Sequence, residues 1–173
     1  MNKKIAWGVV ALFFLMGCAT FESMEVREQK YGKASPVIQQ AFASKVIRYN
    51  DTWKVYLKAS DSDGDMKAIV SYLEKGGKGG GGSLSYTRIK EENRKELSGY
   101  IYWYPGSNVT YFSEVLMTIQ IQDMPGHFSN PVSLPLTMQP SGKQEPPPKD
   151  VFQEYNLGPI MITISPVGGD GGQ

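Results

Sequence analysis

Alternation of apolar and polar side chains over several short segments constrains the fold of this chain more than any other feature. In residues 53–59 the odd-numbered positions are apolar, and the positions between them carry two lysines and a tyrosine. The same spacing recurs in residues 97–103, 115–122 and 132–138. Successive side chains of a strand point to opposite faces, so a period of two is typical of strands with one buried and one hydrated face. The chain after residue 18 shows no comparable helical spacing, and an all-β domain is therefore predicted.

Turn-forming residues separate these strands and complete the fold prediction. Clusters rich in Gly, Pro, Asp, Asn and Ser occupy residues 61–65, 105–108 and 123–126. Pro135 lies at a polar position of its strand, which suits a sheet edge because proline donates no hydrogen bond to a neighbour. Further strands are predicted at residues 37–42, 67–73, 83–89 and 159–164. Seven to eight short strands with regular turns indicate a β-sandwich.

The first twenty residues have the order of a secretory signal. Two lysines precede an apolar run over residues 5–16, and small residues lead to Cys18, the only cysteine. About a dozen apolar residues are too few for a spanning helix, which needs roughly 20. The sequence Leu-Met-Gly-Cys at residues 15–18 resembles the lipobox of bacterial lipoproteins. The resemblance implies a signal peptide over residues 1–17 and a lipid on Cys18, and the alanine after Cys18 implies sorting to the outer membrane.

Charge and cysteine content limit the partners of the mature chain. Removal of residues 1–17 leaves 156 residues with 16 basic and 17 acidic side chains. A nearly neutral chain lacks the basic surface expected of a nucleic-acid-binding protein. If Cys18 carries lipid, no thiol remains for a disulfide. We therefore expect attachment to the membrane through Cys18, no nucleic acid, and an envelope protein or a glycan as partner.

Two segments resemble a known class of extracellular domain. Residues 53–66 resemble the B strand and B–C turn of bacterial immunoglobulin-like and cadherin-like domains, and residues 119–132 resemble their F strand, F–G turn and G strand. The resemblance implies an immunoglobulin-like sandwich over residues 36–138. Residues 18–35 are then predicted to be a flexible tether. Residues 139–173 are predicted to be a proline-rich linker, an added edge strand and a disordered tail.

The acidic turn at residues 61–65 is the clearest candidate for chemistry. Asp61, Asp63 and Asp65 alternate in it, with a glycine at position 64. Carboxylates converging in a tight turn can bind a hard cation such as Ca²⁺, and a second loop must supply more oxygens, for which Asp123 is the candidate. The EF-hand pattern is not met, because its twelfth position is Tyr72. The alternative is a hydrated turn in which the Asp side chains bond backbone amides.

Little in the sequence indicates catalysis. The only histidine, His127, lies in the predicted turn after residue 122 and has no nucleophile assigned to it. The glycine-rich insertion at residues 76–82 lacks the Lys-Ser/Thr ending of a phosphate-binding loop. A non-catalytic binding or structural domain on the cell envelope is the prediction, and the alternative is a calcium- or carbohydrate-binding module.

An aromatic row is the feature that favours a carbohydrate or protein ligand. Tyr100, Tyr102 and Tyr104, with Tyr111 nearby, lie on the parity opposite to the predicted core positions. Exposed aromatic rings can bind sugars or a partner protein. Alternatively, the C-terminal segment covers this face, or aromatic pairs stabilise the sheet.

Overall fold

The computed structural model describes residues 22–75, 82–106 and 114–163. The predicted signal peptide, Cys18, residues 76–81 of the glycine-rich insertion, Tyr111 and the tail beyond residue 163 lie outside the described residues. Within the described residues, no helix is both long and apolar enough to span a membrane.

The described residues form nine strands in two sheets, which confirms the predicted all-β sandwich. One sheet has the order β1-β3-β6-β9 and the other the order β2-β8-β7-β4-β5. Neighbouring strands are antiparallel except for β2 with β8 and β6 with β9. The elements are α1 Met24–Tyr31, β1 Val37–Ala43, β2 Val46–Ile47, β3 Trp53–Ser60, β4 Met66–Lys75, β5 Ser83–Arg88, a 3-10 turn Glu91–Asn93, β6 Glu96–Trp103, β7 Glu114–Asp123, β8 Val132–Met138 and β9 Asn156–Pro159.

The core lies between the sheets and is formed by the side chains that the alternation assigns to it. Trp53 and Trp103 are fully buried and face each other across β3 and β6, with ring centroids 6.5 Å apart. Each indole N–H is also paired: Trp53 donates to the Ser44 carbonyl at 2.8 Å and Trp103 to the Ile162 carbonyl at 2.9 Å. Burial of a large aromatic ring with its polar atom satisfied is strongly stabilising. We refer to this end of the sandwich as the tryptophan end.

Pro135 occupies an edge, as predicted. It lies opposite Leu116 of β7, and β2 pairs with β8 only at Thr137 and Met138. The stretch of β8 that contains Pro135 therefore has a hydrogen-bonded neighbour on one side only, where the missing N–H is harmless.

The C-terminal segment adds an edge strand, as predicted, and the sandwich extends beyond residue 138. β9 adds to the edge of β6, over residues 156–159 instead of the predicted 159–164. Ile160 and Ile162 beyond it are buried in the core. Ser85 and Thr87 of β5 hydrogen-bond the backbone of Met161 and Pro159. The segment thus connects the open edges of the two sheets.

The prediction of a flexible tether is wrong for residues 24–31, which form α1. The Ser23 side chain accepts a hydrogen bond from Val26 N–H at 3.4 Å, and Gly32 ends the helix with φ +121°. Both features are typical of helix termini. The helix has no buried residue, so it lacks the apolar stripe from which a helix is recognised in a sequence.

Candidate metal centre

Two turns meet at the end of the sandwich opposite the tryptophans. The first turn connects Ser60 of β3 to Met66 of β4, and the second follows Asp123 of β7. Asp123 lies opposite Met66 in the β4–β7 ladder, and Met124 N–H donates to the Asp65 carbonyl at 3.2 Å. Strand pairing therefore brings the two turns together before any side-chain contact is considered.

Asp61, Asp65 and Asp123 converge where these turns meet. Each contributes a carboxylate oxygen to a group in which all oxygens lie within 4.8 Å of one another. The three residues are only 3%, 6% and 0% exposed. We call them the carboxylate cluster, and this end of the sandwich the carboxylate end.

Several oxygens of the cluster have no partner in the protein. Oδ1 of Asp61 accepts from the backbone N–H groups of Asp63 and Gly64 at 2.8 and 3.2 Å. Oδ2 of Asp61 and both carboxylate oxygens of Asp65 are buried without a hydrogen-bond partner. A buried polar atom without a partner is destabilising, and an unpaired buried charge is more so. The predicted Asx turn is thus present, but it accounts for only one of these four oxygens.

Asp123 is held by the loop that follows it. Its Oδ1 accepts from Gly126 N–H at 2.6 Å and from His127 N–H at 2.7 Å. Its Oδ2 lies 2.8 Å from Nδ1 of His127, and Nε2 of His127 lies 3.1 Å from Oε1 of Glu28 in α1. Asp123 is therefore fixed in position while its remaining lone pairs stay available to the cluster.

The electrostatics of the cluster favour a bound positive charge. Burial, together with the charges of Asp61 and Asp123, raises the pKa of Asp65 to about 7. Among the described residues, His127 is the only basic side chain within ion-pair distance of the cluster, and it pairs with Asp123. Burial opposes the charge of His127, but its hydrogen bonds to Asp123 and Glu28 outweigh that effect and raise its pKa. Even when His127 is protonated, its single positive charge is shared with Glu28 and leaves the cluster with an excess of negative charge.

The donor set fits a hard divalent cation. All candidate ligand atoms are carboxylate oxygens, which Ca²⁺ and Mg²⁺ prefer. The described part of the chain contains no cysteine and a single histidine, so a zinc site with nitrogen and sulfur ligands does not fit this end.

The structure brings together three of the four aspartates that the sequence suggested. Asp63 is exposed, and its Oδ2 accepts from the backbone N–H of Ala34 at 2.8 Å, outside the carboxylate cluster. Sequence reasoning missed the contribution of His127, to which it assigned no role, and of Glu28, which it assigned to the tether. The spacing of Asp123 and His127 within one turn was the only available signal for this pair.

The C-terminal segment packs on the face of the sheet that carries the aromatic row. Phe152 packs on Tyr56 with ring centroids 5.7 Å apart, and Glu154 accepts from the Tyr56 hydroxyl at 2.6 Å. Tyr100 packs against the same Tyr56 ring at 5.6 Å, whereas Tyr104 is 53% exposed. This packing matches the alternative in which the C-terminal segment occupies the face, and among the described tyrosines of the row only Tyr104 is exposed.

Comparison with known proteins adds no family to this description. No protein-family model matches the sequence, and no curated protein is significantly similar to it.

Proposed function

We propose that this chain is a lipid-anchored envelope protein whose non-catalytic β-sandwich domain binds Ca²⁺ at the carboxylate end. One observation carries the calcium site: Asp61, Asp65 and Asp123 are buried together, and three of their oxygens have no partner in the protein. A bound dication supplies the partner for these oxygens and offsets the repulsion between the carboxylates.

Calcium fits the cluster better than magnesium. Both oxygens of Asp65 are free to bind one ion in a bidentate manner, which Ca²⁺ accepts readily. Mg²⁺ requires nearly ideal octahedral geometry and usually retains several waters. A cluster whose three residues are all more than nine-tenths buried favours the ion that gives up its waters more easily.

The position of the cluster supports a structural role for the ion. Asp61 follows β3 of one sheet, whereas Asp65 precedes β4 and Asp123 is the last residue of β7 in the other sheet. An ion bound by all three residues therefore joins the two sheets. Such a link acts like a disulfide in a mature chain that, once Cys18 is acylated, has no thiol to form one.

Titration calorimetry of the mature chain with Cys18→Ser, which yields protein without lipid, tests the calcium site. We expect heat of binding with CaCl₂ and much weaker binding with MgCl₂. Asp65→Asn should abolish the binding. Asp63→Asn is the matched control, since it removes the same charge from the same turn at a residue outside the carboxylate cluster. Absence of calcium binding by the unsubstituted chain contradicts the proposal.

The membrane anchor rests on the lipobox-like sequence ending at Cys18. Mass spectrometry of the mature N-terminus is expected to show acyl groups on Cys18 and no residue before it. Cys18→Ser should leave the protein unprocessed or release it from the membrane fraction. An unmodified cysteine in the native protein is the contrary result.

A further inference from the structure

We infer that calcium binding and the docking of residues 23–34 onto the carboxylate end are coupled, so that the ion fixes the N-terminal segment to the domain. The inference rests on the proposed calcium site and adds a regulated contact to it. Its basis is that this segment contacts both of the turns that supply the carboxylates.

The first contact joins α1 to the turn that follows β7. Oε1 of Glu28 lies 3.1 Å from Nε2 of His127, whose Nδ1 lies 2.8 Å from Oδ2 of Asp123. The Arg27 guanidinium also lies beside Gly126 of the same turn. A single imidazole thus connects a residue of the carboxylate cluster to the helix, and it fixes the orientation of both carboxylates that it contacts.

The second contact joins the residues after α1 to the acidic turn. Ala34 N–H donates to Oδ2 of Asp63 at 2.8 Å. Gly32 packs so closely that a Cβ atom at this position would overlap the Asp63 carboxylate, and its φ of +121° disfavours other residues. The N-terminal segment therefore depends on the conformation of the acidic turn as well.

The helix is too short to persist without these contacts. It has eight residues and buries none of them, whereas isolated helices shorter than about 12 residues are marginal in water. Only Arg27, Glu28 and Tyr31 are half-buried, which places one polar face of the helix on the domain. Docking by polar contacts to two turns is sensitive to any displacement of those turns.

The ion determines whether the two turns hold this arrangement. Without a cation, the charges of Asp61, Asp65 and Asp123 repel one another, and separation of the turns relieves the repulsion. Separation moves Asp63, which accepts from Ala34 N–H, away from His127, which contacts Glu28. Linkage then requires that docking of the segment strengthens calcium binding by the same factor by which calcium strengthens docking.

Calcium affinity of variants that loosen the segment tests this coupling. In the Cys18→Ser chain, Glu28→Gln should weaken calcium binding by about tenfold, within the range usual for coupled sites. Glu25→Gln removes the same charge from an exposed position of the same helix and should change the affinity less than about twofold. Gly32→Ala disturbs docking without a change of charge, and it should weaken binding in the same direction as Glu28→Gln.

Hydrogen exchange provides the second readout. Amides of residues 26–34 should exchange at least about tenfold more slowly in calcium than in chelator, and Asp65→Asn should abolish this difference. If calcium binds but neither the exchange of these amides nor the affinity of Glu28→Gln and Gly32→Ala changes, the coupling is wrong and the calcium site stands. If the unsubstituted chain binds no calcium, both proposals are wrong.

Discussion

The two ends of the sandwich solve the problem of buried polar atoms in opposite ways. At the tryptophan end, the indole N–H groups of Trp53 and Trp103 are buried and donate to backbone carbonyls of the same chain. At the carboxylate end, three oxygens of Asp61 and Asp65 are equally buried and have no protein partner. The comparison teaches that the first end pairs its buried polar atoms within the chain, whereas the second keeps buried oxygens available to a ligand.

The largest expected effect concerns the tryptophan end. Trp103→Ala should lower the free energy of unfolding by about 3–5 kcal/mol, because it removes a fully buried ring and leaves a cavity. The loss should be the same in calcium and in chelator, since the site of change is remote from the carboxylate cluster. Urea unfolding measures the loss of free energy. Tyr104→Ala, which changes the exposed residue next to Trp103, serves as a nearly neutral control. A loss that appears only in calcium contradicts the independence of the two ends.

The second effect concerns the ion. Calcium at 100 times its dissociation constant should raise the free energy of unfolding by about 2.7 kcal/mol. Asp65→Asn should remove this increment without a comparable loss in chelator, because the substitution also removes a repelling charge. Thermal unfolding of both chains in CaCl₂ and in EGTA measures the difference. An increment that survives in Asp65→Asn would show that calcium acts elsewhere.

The third effect is a pH dependence that appears only without the ion. The pKa of Asp65 is about 7 in the folded protein, above its ordinary value of 3.8, so between these values the folded state binds more protons than the unfolded state. The free energy of unfolding in chelator should therefore fall as the pH rises through 7, by about 1 kcal/mol between pH 6 and 8. The contribution of Asp65 is the free energy of unfolding of the unsubstituted chain minus that of Asp65→Asn, measured at each pH. A difference that does not change with pH contradicts the burial of a titrating Asp65.

The smallest effect separates Asp63 from its neighbours in the acidic turn. Asp63→Asn should change the free energy of unfolding by about 0.5 kcal/mol or less, as is usual at exposed positions, because an amide oxygen can still accept from Ala34 N–H. The change should be alike in calcium and chelator. Calorimetry that gives Asp63→Asn the same loss of calcium binding as Asp65→Asn would place Asp63 among the ligands and refute the arrangement described above.

Periodicity predicted the sandwich well because side-chain parity is a local property. The alternation in residues 53–59 and 97–103 placed Trp53 and Trp103 in the core, where the structure has them. The turn residues and Pro135 indicated strand ends and an edge for equally local reasons. β2 was not predicted, since its two residues are too few to show any period.

The candidate site was harder to predict because its contacts join distant parts of the chain. Asp61, Asp65 and Asp123 could be proposed as ligands because the acidic turn offers carboxylates and a cation needs further oxygens from a second loop. The distinction between Asp63 and the other two aspartates of the turn depends on burial, which alternate spacing does not reveal. Glu28 was assigned to a tether because α1 has no buried residue to mark its inner face. Its contact with His127 spans 99 residues of sequence.

Diffraction from crystals of the mature chain grown in calcium tests the central claim most directly. The account predicts an anomalous density peak between Asp61, Asp65 and Asp123, with carboxylate oxygens of all three residues at about 2.3–2.6 Å from the ion. The same crystals grown in chelator should lack this peak. The account would be contradicted if the three carboxylates remain together in calcium and the space between them holds no anomalous peak or holds only water.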